Sequence, residues 1–172
     1  MKVMARNESK LGVDFGRVIN GGSGLPGGDT AFLSGGLDAA LRTPAMPDVF
    51  EVLPRLVARF DGQVWIVSKC GERIQRRTLQ WLDHHESWTR TGIDPERVRF
   101  CRRRPEKADH CAELGITHFV DDHREVHAAL RGVVPHRYLF GPQREPAPDG
   151  VIATPTWPDV ERAIIASMTE PV

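Results

Sequence analysis

Short apolar runs, each ending on a polar residue, alternate along this chain with segments of helical period, and that alternation constrains the fold more than any other feature. The first run lies in LGVDFGRVIN, residues 11–20, and climbs to Asp14, followed by Gly16 and Arg17. Residues 48–60 space Val49, Val52, Leu53, Leu56, Val57 and Phe60 at helical intervals, with Pro54 an internal breach that predicts a kink. Asp61 and Gly62 stop that helix, and QVWIV, residues 63–67, reads as a strand closing on Ser68 and Lys69. A helix over 71–84 is expected to turn Ile74, Thr78, Leu79 and Leu82 inward and Arg73, Arg76 and Arg77 to solvent. Residues 87–96 read as a polar connection, 98–101 as a strand, and 105–114 as a helix begun by Pro105 and stopped by Gly115. ITHFV, residues 116–120, is a strand running into Asp121 and Asp122. A short helix over 124–130, a strand over 137–140 and an amphipathic helix over 158–168 complete the chain.

Strand and helix in repeated alternation predict an α/β fold with a mainly parallel sheet and helices on both faces. Right-handed crossovers put every strand's C-terminal end on one edge, where open α/β sheets bind ligands. Asp14, Ser68 and the Asp121–Asp122 pair should therefore converge. At 172 residues the chain is long enough for one domain with a real core. That domain is expected over 10–172, after a flexible N-terminus at 1–9. The Gly- and Pro-rich connection at 21–45 is too long to be a simple turn and is expected to act as a flap or loop near Asp14.

Several function classes fall away. No run is long enough to cross a membrane and residues 1–10 are too polar for a signal peptide, so a cytoplasmic protein without a membrane partner is expected. The 23 basic residues balance the 23 acidic ones, which does not indicate nucleic acid as a partner. Cys70, Cys101 and Cys111 are odd in number and lack CxxC spacing, so free thiols are expected rather than disulfides or a zinc site.

The remaining edge carries chemistry. Clustered carboxylates with open positions suit a hard, oxygen-seeking cation, and Mg²⁺ is usually held by one or two carboxylates plus a substrate phosphate. Ser68 can donate to a phosphate oxygen, Lys107 can neutralise its charge, and Asp14 is placed to act as nucleophile. Lys69 and Arg17 are further cations at the same edge for a phosphorylated substrate. Taken alone, Asp14 is equally what a helix cap or turn former looks like.

In order and placement, VDFGRVI, WIVS ending at Ser68, Lys107, and FVDD resemble the four motifs of the haloacid dehalogenase superfamily, most of whose members are Mg²⁺-dependent phosphatases. FVDDHREV followed by TPTWPDVERAI is also similar to the layout of its deoxyribonucleotidase-like branch. The resemblance covers roughly residues 10–168 and implies a Rossmann-like three-layer sandwich without a large cap domain. It further implies Asp14 and Lys107 as catalytic residues, with Ser68 on the substrate. For the metal it implies Asp14, Asp122 and the Gly16 carbonyl as ligands, with Asp121 behind them or acting through water.

One departure matters. Phosphatases of that superfamily carry a second Asp two residues after the nucleophile as general acid and base, and here Gly16 stands in that place. The backbone carbonyl survives, but the proton donor does not, and such groups contribute about 10² to 10⁴ in rate. His123, beside the Asp pair, is the candidate substitute. The expectations are thus a slow or atypical Mg²⁺-dependent phosphohydrolase or, alternatively, a catalytically impaired relative that binds a phosphorylated ligand or a protein partner. With only a loop after the first motif, the site is expected to admit a small molecule or a macromolecular end, or to be closed by a second subunit in a homodimer. Arg102, Arg103 and Arg104 could serve a large phosphorylated substrate, but a near-neutral chain gives no wider basic footprint, which favours reading them as a solvated loop.

Overall fold

The computed structural model describes residues 8–21 and 30–169. Most of the expected flexible N-terminus, and part of the connection after Asp14, lie outside the described residues. In chain order the elements are β1 (Leu11–Val13), α1 (Thr30–Ser34), α2 (Leu37–Leu41), α3 (Val49–Arg59), β2 (Val64–Lys69), α4 (Glu72–His84) and α5 (Ser87–Thr91). There follow β3 (Val98–Cys101), α6 (Glu106–Leu114), β4 (His118–Asp121), α7 (Arg124–Ala129), β5 (His136–Phe140), β6 (Val151–Thr154) and α8 (Trp157–Thr169). Among the described residues six strands form one sheet in the order β3-β2-β1-β4-β5-β6, with every pairing parallel.

Alternation along the strands sorts the core onto the two faces. Leu11, Val13, Val64, Ile66 and Val120 point to one face, where Leu53, Leu56, Trp81, Trp157 and Ile164 of α3, α4 and α8 cover them. Trp65, Val67 and Phe119 point to the other, under Cys111 of α6 and Val126 of α7. The result is an α/β, Rossmann-like three-layer sandwich, as the sequence alternation requires. Gly12 leaves room for the second layer: a Cβ there would lie 2.5 Å from the buried Phe119 ring of the neighbouring strand.

α3 runs unbroken through Pro54 and buries Val49, Val52, Leu53, Leu56 and Val57. Four elements differ from the sequence expectation. The 21–45 connection carries α1 and α2, the polar 87–96 stretch begins with α5, and residues 151–154 form an edge strand, β6. On α4, Leu79 is exposed, whereas Arg73 and Arg77 are not simply solvated: they donate to the carbonyls of Leu33 and Phe32 on α1. No helix among the described residues is long and apolar enough to cross a membrane. The three cysteines are free and buried.

His118 opens β4 at the opposite end of that strand from Asp121. It is 3% exposed, hydrogen-bonds through Nδ1 with Thr117 Oγ1 and through Nε2 with Ser167 Oγ, and stacks on His136 at 4.3 Å. Burial, reinforced by His136, lowers its imidazole from the ordinary 6.5 to about 3. An unfolded chain takes up a proton at this ring below about 6.5 and the folded chain does not, so stability present above that pH drains away as pH falls toward 3, by up to about 1.4 kcal/mol per pH unit. Urea unfolding followed from about pH 7 to about pH 4 should show a shallower loss in His118→Gln than in the parent. Identical slopes would remove His118 as the acid-sensitive group.

Candidate functional site

The strand order reverses direction at β1 and β4, which lie side by side: the chain moves outward from β1 through β2 to β3, then returns to β4 and goes the other way. Such a switch point leaves a crevice at the strands' C-terminal ends. Asp14 follows β1 there, its backbone N–H bonded to the Val120 carbonyl of β4, and Asp121 ends β4. The chain then turns tightly, with the Phe15 carbonyl accepting from the N–H groups of Val18, Ile19 and Asn20. Trp157, fully buried at the start of α8, donates its indole N–H to the Val18 carbonyl and fixes that turn from behind.

Lys107 reaches the crevice from the first turn of α6 and is 2% exposed. Its Nζ donates to Asp14 Oδ1 at 2.9 Å and to Asp121 Oδ2 at 2.7 Å, so one ammonium spans both buried carboxylates. The other Asp121 oxygen accepts the His123 backbone N–H at 2.9 Å, which leaves Asp121 fully engaged. Asp122 differs. His123 Nδ1 lies 2.9 Å from Asp122 Oδ1 but outside hydrogen-bond geometry, so this buried oxygen has no hydrogen-bond partner. Potential ligand atoms of Asp14, Asp121, Asp122 and His123 all fall within 4.8 Å of one another.

The electrostatics are those of an anion-rich pocket. Burial, reinforced by the Asp121 carboxylate, pushes Asp14 up to about 8 despite Lys107. Burial alone would also raise Asp121, but Lys107 and His123 hold it below the usual carboxylate range. Burial opposes the charge on Lys107, and the two carboxylates more than offset it, so its pKa rises. Three ionised carboxylates against one ammonium would leave two uncompensated negative charges beside a neutral His123, and the raised pKa of Asp14 is the response: it stays protonated near neutral pH until a further cation arrives. A hard divalent cation would favour the ionised form of Asp14 and find oxygen donors on Asp14 and Asp122, so the cluster could hold Mg²⁺.

Two forces oppose each other at His123. The Asp121 and Asp122 carboxylates, 3.5 and 2.9 Å from its Nδ1, push its imidazole up to about 9. Arg104 Nη2, which can only donate, sits 3.2 Å from His123 Nε2 and requires a lone pair there. Protonation of Nε2 therefore requires Arg104 to withdraw toward Glu125, its other partner at 3.4 Å. His127, one turn further on, faces inward instead and contacts the Asp121 carbonyl at 3.0 Å through Nε2.

A cleft of about 480 Å³ opens in front of Asp14, lined also by Gly16, Arg17, Ser68, Lys69, Lys107 and His123. Ser68 is buried, whereas Lys69 and Arg17 are exposed, and Arg17 takes a left-handed backbone with φ 62°. Every residue singled out for this edge in the sequence lines the cleft or belongs to the carboxylate cluster. Arg104 corrects the reading of residues 102–104 as a solvated loop, because it reaches the cleft; Arg102 instead donates to the Cys70 carbonyl. The sequence did not single out Asn20, whose buried carboxamide lacks hydrogen-bond partners, nor the cleft walls Phe32, Leu33, Ile74 and Thr78. No known protein family and no curated protein matches the chain.

Proposed function

We propose that this chain is a Mg²⁺-dependent phosphohydrolase of haloacid dehalogenase type, with Asp14 as nucleophile and a phosphate monoester as substrate. The observation that carries the proposal is the Lys107 ammonium spanning Asp14 and Asp121 while an adjacent Asp122 oxygen has no hydrogen-bond partner. A structural ion pair needs one carboxylate; a second buried beside it, with Asp122 adjacent and half-buried, is costly unless a further cation uses them.

Asp14 and Asp122 would hold the ion with the Gly16 carbonyl, and Asp121 would orient Lys107. When bound, Mg²⁺ neutralises charge on the phosphoryl oxygens. Ser68 donates a hydrogen bond to one of those oxygens, and Lys69 and Arg17 bring the anion into the cleft. Lys107 keeps Asp14 oriented, a bound cation would favour its ionised form, and the ionised oxygen attacks phosphorus. The P–O bond to the leaving group breaks, and the departing oxygen keeps the electron pair and takes a proton from solvent. Water then attacks the aspartyl phosphate, the bond from phosphorus to the Asp14 oxygen breaks, and inorganic phosphate leaves.

Gly16 supplies no proton donor or base, so both halves run slowly, and esters with acidic leaving groups are favoured. The same Gly16 supports a second reading, a protein that binds a phosphorylated ligand or partner without turning it over. Purified protein with Mg²⁺ should release phosphate from an aryl phosphate, and should lose that release in Asp14→Asn and in chelator. Release that survives Asp14→Asn would exclude Asp14 as nucleophile, and no release from any ester would leave the binding reading.

A further inference from the structure

The anionic end of the cleft occupies only part of it. The cleft is also lined by apolar residues: Phe32 and Leu33 come from α1, and Ile74, with Thr78 beside it, comes from α4. Leu33 is 45% exposed, a large aliphatic side chain left in water at the mouth of an otherwise charged cleft. Phe32 is 3% exposed and meets Phe15 at 5.6 Å, and Phe15 meets Trp81 at 5.3 Å, so the wall is rooted in the core. Arg73 and Arg77 of α4 donate to the Leu33 and Phe32 carbonyls and hold the C-terminal end of α1 against the cleft.

We propose that α1 and the facing side of α4 form a specificity wall, and that the substrate is a small phosphate monoester with a compact apolar or aryl body rather than a phosphorylated macromolecular end. This rests on the phosphohydrolase reading of the Asp14 edge. Charge decides how such a molecule enters: Arg17, Lys69, Arg104 and Lys107 attract the phosphate, and nothing charged faces it from Phe32, Leu33 and Ile74. Size agrees, since about 480 Å³ is within the range of small-molecule pockets. Arg73 and Arg77 are positioning residues, acting through the α1 backbone.

The test is calorimetry with Mg²⁺ on inert phosphonates that cannot be turned over. Phenylphosphonate should bind about tenfold or more tighter than methylphosphonate. Leu33→Ser, at an exposed position that folding tolerates, should narrow that gap, and so should Arg77→Met, which removes no atom from the apolar wall. Equal affinity for the two phosphonates, or an unchanged gap in both variants, would overturn the wall while leaving the phosphate reading intact. A phosphorylated peptide or oligonucleotide end binding tighter than phenylphosphonate would also overturn it. If neither methylphosphonate nor inorganic phosphate binds at all, the phosphate reading itself fails and the specificity wall falls with it.

Discussion

Gly16→Asp should raise the rate of phosphate-ester hydrolysis by about 10² to 10⁴, the usual contribution of a positioned acid and base. Ordinarily an added side chain beside a buried cluster would clash. Here a Cβ at position 16 meets nothing within 4 Å, and the backbone is not in the left-handed region, so an L-residue fits without strain. The position also lines the cleft, two residues beyond Asp14, within reach of a leaving group seated above the nucleophile. The gain should be largest for alkyl esters, whose leaving oxygen needs a proton, and smallest for aryl esters with acidic leaving groups. A steady-state comparison of the two ester classes checks this. Equal rates in parent and variant on alkyl esters would mean that proton transfer is not what the parent lacks, and would favour a binding role.

Lys107→Met should cost about 3–5 kcal/mol of stability without added metal, the penalty for leaving a buried charge without its partner. Methionine matches the lysine stem in length and removes only the ammonium, so packing against the ring of Phe119, 5.8 Å from Nζ, is largely kept. What remains is Asp14 at 5% and Asp121 at 0% exposure with no cation between them. Mg²⁺ should recover part of the loss in the variant by binding the folded state alone. Urea unfolding with and without Mg²⁺ reads both quantities. A loss below about 1 kcal/mol that is indifferent to Mg²⁺ would show that the carboxylates do not depend on Lys107.

The charged half of the site was legible because each member stands at a punctuation mark in the sequence. Asp14 and Asp121 close apolar strands, Ser68 ends another, and Lys107 follows Pro105 at a helix start, so chain order and parallel topology alone bring them to one edge. The apolar half was not legible. α1 and α2 are five residues each, too short to show a helical period, and they sit in a Gly- and Pro-rich stretch that reads as loop. What holds α1 is tertiary: arginine side chains forty or more positions away reach its carbonyls, and no local pattern announces that. β6 escaped for a different reason. Its four residues are buried only at the two ends, with Ile152 half exposed, so neither alternation nor a continuous apolar run appears. Leu79 shows the limit of periodicity itself, since it shares a helical stripe with Thr78 and Leu82 yet faces solvent.

The most direct test of Asp14 as nucleophile is to trap the phosphoryl group on it. An aryl phosphate with an acidic leaving group bypasses the missing proton donor in the first half of the reaction, whereas water still lacks a base in the second, so the aspartyl phosphate should accumulate. Mixing the protein with such a donor and Mg²⁺, quenching in acid and mapping peptides by mass spectrometry should find one phosphoryl group on the peptide containing Asp14. It should be absent from Asp14→Asn and from a sample mixed in chelator. A phosphoryl group on another residue, or phosphate release with no adduct at any quench time, would contradict the account.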